Sequence, residues 1–218
     1  MRAEDGDEFV KTLLEWYVEN GRHDLPWRDP DASPFETLVA ELMLQQTSAE
    51  QVTGVYDEFV EQYTTAGAVL AAAEADVAGA IEPLGLHKRT AYFRSASAQL
   101  LARHDGRVPD SRAELLELHG VGEYTAASVL VHAHGRDASA VDTNVARILG
   151  RVFGRESAAD PEASEMWDLA DRLAPSGRCD DFLHALIDFG AAVCTAANPG
   201  CESCPFEEAC EYEAPGDE

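Results

Sequence analysis

Four cysteines stand close together near the C-terminal end of the chain, Cys194, Cys201, Cys204 and Cys210, spaced C-x6-C-x2-C-x5-C. Thiolates this near one another in sequence can wrap a single compact metal centre. A C-x-x-C pair inside the set suits either a [4Fe–4S] cluster or a four-cysteine zinc site, and spacing leaves both open. A disulfide framework is the weaker reading: no secretory signal precedes the set, and the fifth cysteine, Cys179, stands apart with no assigned role. Two carboxylates also occupy chemically suggestive places. Asp142 lies just before an apolar stripe, Val145, Ile148, Leu149 and Val152. It is an N-cap, a carboxylate at the mouth of a cleft, or both. Glu41 sits within Leu38-Val39-Ala40-Glu41-Leu42-Met43-Leu44. Apolar neighbours of that kind favour the protonated carboxyl, which a general acid needs near neutrality.

Between these positions runs Leu118-His119-Gly120-Val121-Gly122. Two glycines around one valine make a tight turn that leaves backbone N–H groups exposed at a helix N-terminus. Such a turn holds a phosphate without side-chain charge. An ordinary helix–turn–helix corner is the plainer alternative.

The elements that must carry these residues are helical. Phe9, Leu13, Leu14 and Tyr17 form a stripe at helix spacing that ends near Asn20-Gly21. Residues 25–34 read as a loop, and Ser33-Pro34 begins the next helix with Ser33 as its N-cap. Further helices are expected over 49–63, 66–72, 74–82, 88–104, 111–117, 122–134, 143–153, 161–173 and 180–192. No alternation is long enough for a strand. The fold class is therefore all-α, and the cysteine segment, with Pro199-Gly200 and Pro205, is a loop that a metal would have to order.

The 218 residues carry 41 acidic against 16 basic side chains, a formal charge of −25. Hydrophobic residues make up 45%, so a folded core is expected rather than an acidic disordered chain. Acid dispersed along the whole chain suits a surface adapted to molar salt, in a source that accumulates salt internally. An acidic module for a basic partner is the alternative. No apolar run is long enough to span a membrane, so no membrane partner is expected, and the location expected is cytoplasmic.

Taken in order, Gly120-Val121-Gly122-x-Tyr124-Thr125-Ala126, Val141-Asp142-x-Asn144-Val145-x-Arg147 and the four cysteines resemble the helix-hairpin-helix DNA glycosylases of the endonuclease III superfamily. Leu25-Pro26-Trp27-Arg28 and Glu41-Leu42-Met43-Leu44-Gln45-Gln46-Thr47 narrow the resemblance to the branch of the adenine glycosylases and the thymine mismatch glycosylases. It covers about residues 8–212. It implies two helical domains flanking a DNA-binding cleft: 30–135, with the helix-hairpin-helix, and 1–29 plus 136–218, with a [4Fe–4S] cluster on Cys194, Cys201, Cys204 and Cys210. It implies that Asp142 stabilises the sugar cation, that Glu41 is the general acid and that Asn144 orients Asp142. Tyr124 stands where bifunctional relatives carry a lysine, so the chain should be monofunctional. DNA contacts are expected from Gln45, Gln46, Leu118, Gly120, Val121, Gly122 and Arg147. Arg151, Lys88, Arg89 and Arg94 are candidate phosphate contacts or solvated helix faces. The partner is double-stranded DNA with a mismatch, a cation at the hairpin is implied, and a monomer is expected.

Two features pull the substrate in different directions. Gln45-Gln46-Thr47 suits excision of adenine opposite guanine or 8-oxoguanine, the reading favoured at this point. Gly85-Leu86-His87-Lys88-Arg89 suits a thymine or uracil glycosylase acting on T·G and U·G pairs. His119 replaces the hairpin's usual proline. An endonuclease III-like lyase and a non-catalytic iron–sulfur DNA-binding module are the remaining alternatives.

Overall fold

The computed structural model describes residues 6–85, 88–155 and 159–212. Leu86, His87 and the side chain of Lys88 lie outside the described residues. The chain divides into two compact units, Met1–Arg22 with Gly135–Glu218, and His23–His134. Among the described residues every regular element is helical.

The unit His23–His134 opens on a 3-10 turn, Pro26–Arg28, within the expected loop. Helix α2 (Pro34–Leu44) follows. Ser33 starts it with a full capping box: Glu36 N–H donates to Ser33 Oγ at 3.3 Å, and Ser33 N–H donates to Glu36 Oε2 at 2.6 Å. Reciprocal pairing of this kind satisfies two otherwise orphaned backbone donors. Helices α3 (Ala49–Gln62), α4 (Ala66–Ala71), α5 (Glu74–Ile81), α6 (Lys88–His104), α7 (Arg112–Leu116) and α8 (Glu123–His134) complete the unit. Buried Leu38, Leu42, Met43, Phe59, Phe93 and Val129 build its core. Fully burying side chains of this size stabilises a fold by about 1.5–3 kcal/mol each. Helix α2 packs on α8 and α6 on α4. The first contact brings the helix of Glu41 against the helix that leaves the hairpin.

The other unit joins α1 (Gly6–Asn20) to α9 (Thr143–Val152), α10 (Ser164–Leu173) and α11 (Cys179–Ala192). The α1 stripe read from the sequence is buried, Phe9, Leu13, Leu14 and Tyr17 among it, and α1 packs along α11. Phe206 ties the cysteine segment to this core, its ring 4.9 Å from Phe9 and 5.4 Å from Phe189. Asp188 on α11 is 2% exposed and bridges to Arg22 Nη2 at 2.7 Å. Arg22 also donates from its backbone N–H and its Nε, each at 2.8 Å. Three donors on one carboxylate fix the end of the chain leaving α1. Helix α10 begins at Ser164 rather than 161. The Asp160 carboxylate accepts from Glu162 N–H at 2.9 Å, and its carbonyl accepts from Ala163 N–H at 3.0 Å, so a turn occupies the expected first residues.

Candidate functional site

In the first of these units the candidate acid, Glu41, is buried on α2 at 8% exposure. Its Oε1 accepts from Ser128 Oγ at 2.9 Å. Ser128 lies one helical turn beyond Tyr124 on α8, so the two share a face of that helix. Tyr124 is half-buried. The Glu41 carboxyl is thus embedded among apolar side chains, with Oε1 held by a hydroxyl of the facing helix.

Helix α2 ends at a turn that sequence patterning did not reveal. Gln46 is exposed, with a backbone φ of +55°. Left-handed backbone at a residue other than glycine is uncommon and calls for support from its surroundings. Gln45, beside it, does not project freely. Its Nε2 donates to the carbonyl of Gly120 at 2.8 Å, so one side chain links the end of α2 to the hairpin.

The hairpin itself is a tight turn. Val121 N–H donates to Leu118 O at 3.1 Å, and Gly122 O starts α8 by accepting from Ala126 N–H at 2.9 Å. Gly120 has φ +88°, and a Cβ there would lie 2.8 Å from the ring of Tyr92. Nothing stands within 4 Å of a Cβ at Gly122. Leu118 and Val121 turn their side chains into the core, so only their backbone faces outward as part of the turn. Gln99, which sequence reading passed over, clamps the hairpin from α6. Its Nε2 donates to Glu117 O at 2.8 Å, and its Oε1 accepts from His119 N–H at 2.7 Å.

In the second unit Asp142 caps α9. Its Oδ1 accepts from the N–H groups of Asn144 and Val145, both at 2.8 Å, and its Oδ2 accepts from Asn144 Nδ2 at 2.7 Å. N-cap and held carboxylate, the two readings of the sequence, are one arrangement. Three N–H donors at a helix N-terminus converge on this one carboxylate. Arg147, one turn on, donates from Nη2 to Asn144 Oδ1 at 3.0 Å and to Gly190 O at 3.1 Å, and from Nε to Cys194 O at 3.0 Å. Its guanidinium therefore serves its own unit. Arg151 does likewise: it is buried, donating to Thr195 O at 2.7 Å and Ala196 O at 3.0 Å, with Tyr212 stacked 4.4 Å away.

The four cysteines carry free thiols, Cys194 buried and the others half-buried. Backbone turns gather them: Cys204 N–H donates to Cys201 O at 3.0 Å, and Cys210 N–H donates to Phe206 O at 2.8 Å. The Cys204 thiol is pushed up to about 11, chiefly by burial and further by negative charge on Cys210, Cys194 and Cys201, against a favourable Phe206 N–H. Mutual influence of this kind means that the sulfurs share one neighbourhood. A cation there would relieve it, so the residues fit a metal centre.

The chain belongs to the HhH-GPD superfamily of base excision DNA repair proteins, whose model matches residues 39–171. It is 39% identical over 210 residues to a thymine-DNA glycosylase of Aeropyrum pernix, covering 93% of this chain and 92% of that one. An adenine DNA glycosylase of Mycobacterium tuberculosis is also 39% identical, over 199 residues, with 89% of this chain and 64% of the relative covered. Among solved structures, a thermostable thymine-DNA glycosylase superposes with a TM-score of 0.90 at 33% identity, over 96% of each chain. A non-covalent endonuclease III–DNA complex gives 0.84 at 26% identity, over 96% of this chain and 95% of that one.

Proposed function

We propose that this DNA glycosylase is monofunctional and removes thymine or uracil opposite guanine. The match to a thymine-DNA glycosylase over 96% of both chains carries the substrate. Binding of Gln45 to the hairpin supports the same choice, because the glutamine pair was the main reason to favour adenine and one of its two amides is engaged internally. Adenine opposite guanine or 8-oxoguanine is the second reading, favoured by the adenine glycosylase relative.

Breaking an N-glycosidic bond leaves positive charge on the sugar and the bond's electron pair on the departing base. Asp142, oriented by three N–H donors, is assigned to the sugar cation, where an oriented charge contributes most in a dry site. Glu41 is assigned to protonate the base, and water adds to the sugar carbon. Tyr124 has no amine to form a Schiff base, so the product is an abasic site. The backbone N–H groups of Gly120 and Gly122 are assigned to a phosphate, a contact that outlasts salt screening better than exposed arginines.

Cys194, Cys201, Cys204 and Cys210 are assigned to a [4Fe–4S] cluster. The C-x-x-C pair among four closely spaced thiols, in a chain of the HhH-GPD superfamily, supports this assignment. Bound there, a cluster would tie Cys201, Cys204 and Cys210 to Cys194, just past the end of α11.

The test is base release from duplexes carrying T·G, U·G, A·G or A·8-oxoguanine, in molar potassium chloride, with and without alkali. Release of thymine and uracil, with strand breaks only after alkali, is expected. Release of adenine alone would overturn the substrate assignment. Strand breaks without alkali would overturn the monofunctional one.

A further inference from the structure

Arg89, on the first turn of α6, is 1% exposed and among the largest fully buried side chains. Burial lowers its pKa. A buried guanidinium is costly unless paired, and a carboxylate is its usual partner. Among the described residues no carboxylate bridges to it. Its fork goes instead to the end of α2: Nη2 donates to Gln45 O and Thr47 Oγ1, while Nη1 donates to Leu84 O at 3.4 Å. Its Nε has no partner.

Those acceptors flank a single residue. Gln45 and Thr47 bracket Gln46, the exposed glutamine at φ +55°. An exposed side chain does not by itself hold its backbone in the left-handed region, which costs about 1–3 kcal/mol at such a residue. Something must clamp the residues on either side, and the guanidinium reaches both. One nitrogen, Nη2, holds both acceptors, and Nη1 anchors the same rigid plane to Leu84 O, a second anchor that the point charge of a lysine lacks.

We propose that Arg89 is a positioning residue for base eviction. It locks the Gln45–Thr47 turn so that Gln46 is presented in a fixed conformation to the space that the evicted base leaves. The inference rests on the glycosylase reading and goes beyond it, since Arg89 touches neither substrate nor reacting atoms. Its charge keeps the turn in register, and the Gln45 amide carries that register to the hairpin through Gly120 O. A flipped base costs a few kcal/mol of unstacking. A side chain already fixed in place repays that cost without ordering entropy.

The experiment compares the parent protein with R89K, R89M and R89K/Q46N. Asparagine tolerates left-handed backbone better than glutamine and keeps the carboxamide. Three quantities are read: affinity for matched duplex, affinity for T·G duplex, and fluorescence of 2-aminopurine placed beside the mismatch. Melting temperature monitors folding. The expected result for R89K is unchanged matched-duplex affinity, about tenfold less preference for the mismatch and a weaker fluorescence rise, with R89K/Q46N recovering part of both. A general structural role would lower both affinities together, and asparagine at 46 would not rescue it. That outcome overturns the proposal, as does an R89K protein with full fluorescence and preference. If R89M does not fold, R89K and the double variant decide. Failure of the underlying reading is separate: the parent itself would then release no base and show no fluorescence change.

Discussion

Asn144 donates from Nδ2 to Oδ2 of Asp142 at 2.7 Å, and the same carboxamide accepts from Arg147 at 3.0 Å on its other side. The Asp142 carboxylate is thus oriented by a side chain that is itself oriented. Replacing Asn144 by alanine removes one of three donors to Asp142 and one of three acceptors of Arg147. Loss of an orienting partner of this kind costs about 10–100-fold in activity. Single-turnover base release for N144A should fall by about that factor with affinity for the mismatched duplex retained. An equal fall in affinity would make Asn144 a DNA contact instead.

Substituting the two carboxylates themselves should separate binding from chemistry. E41Q keeps the shape of the α2 side chain and can still accept from Ser128 Oγ, but it has no proton to give. General acid catalysis contributes about 10²–10⁴-fold, so single-turnover rates should fall in that range while T·G duplex affinity holds. D142N should lose at least as much, because it loses a charge at the developing cation. Full activity in D142N would remove Asp142 from the mechanism.

Tyr124 makes the proposed monofunctional reaction testable by gain of function. A lysine in its place puts an amine where bifunctional relatives of this chain carry one. Y124K incubated with T·G duplex and borohydride should yield a covalent protein–DNA adduct, and the parent protein should yield none. An adduct with the parent would point to another amine in the chain.

The hairpin glycines should behave oppositely. At Gly120 the backbone is left-handed and a Cβ would meet the Tyr92 ring at 2.8 Å. G120A therefore should destabilise the protein by about 1–3 kcal/mol, the cost of a strained backbone position. At Gly122 a Cβ has nothing within 4 Å. G122A should melt like the parent yet bind duplex more weakly, since the added methyl stands beside the N–H groups assigned to a phosphate. Denaturant melts and duplex titrations in the same salt distinguish the two.

The helices and the cysteine set were legible in the sequence because each rests on local signals. Apolar periodicity gave α1, Ser33-Pro34 gave the start of α2, and Asp142 announced the cap of α9. The direction in which polar side chains turn was not legible. Arg89, Arg147 and Arg151 read equally well as solvated faces or phosphate contacts, and all three donate to backbone carbonyls within their units. Those acceptors, Gln45 O, Cys194 O and Thr195 O, lie 44 to 47 residues away in sequence, beyond the reach of any local pattern. Leu118 and Val121 were read as DNA contacts, but their side chains complete a core that only the packing of α6 and α8 defines. Gln99 carried no signal at all, being one glutamine on a long helix.

The cysteine centre should titrate in a defined direction. Cys204 is pushed up to about 11 by burial and by neighbouring cysteines, and burial raises Cys210 as well. Both thiols therefore hold their protons near neutrality in the metal-free chain. Ligands to iron must be thiolates, so loading expels those protons. Raising the pH toward 11 removes that cost and tightens binding, and lowering it favours the protonated, metal-free form. Each proton released contributes about a tenfold change in binding per pH unit. Iron retention in the presence of a chelator, followed between pH 6 and 9, should increase steeply with pH. C204S should lose the cluster across the whole range, because serine supplies no thiolate. Retention independent of pH would mean that the four thiolates form before the metal arrives, through a counter-charge other than the cluster itself, and Arg151, 3.6 Å from Cys194 Sγ, would be the first residue to substitute.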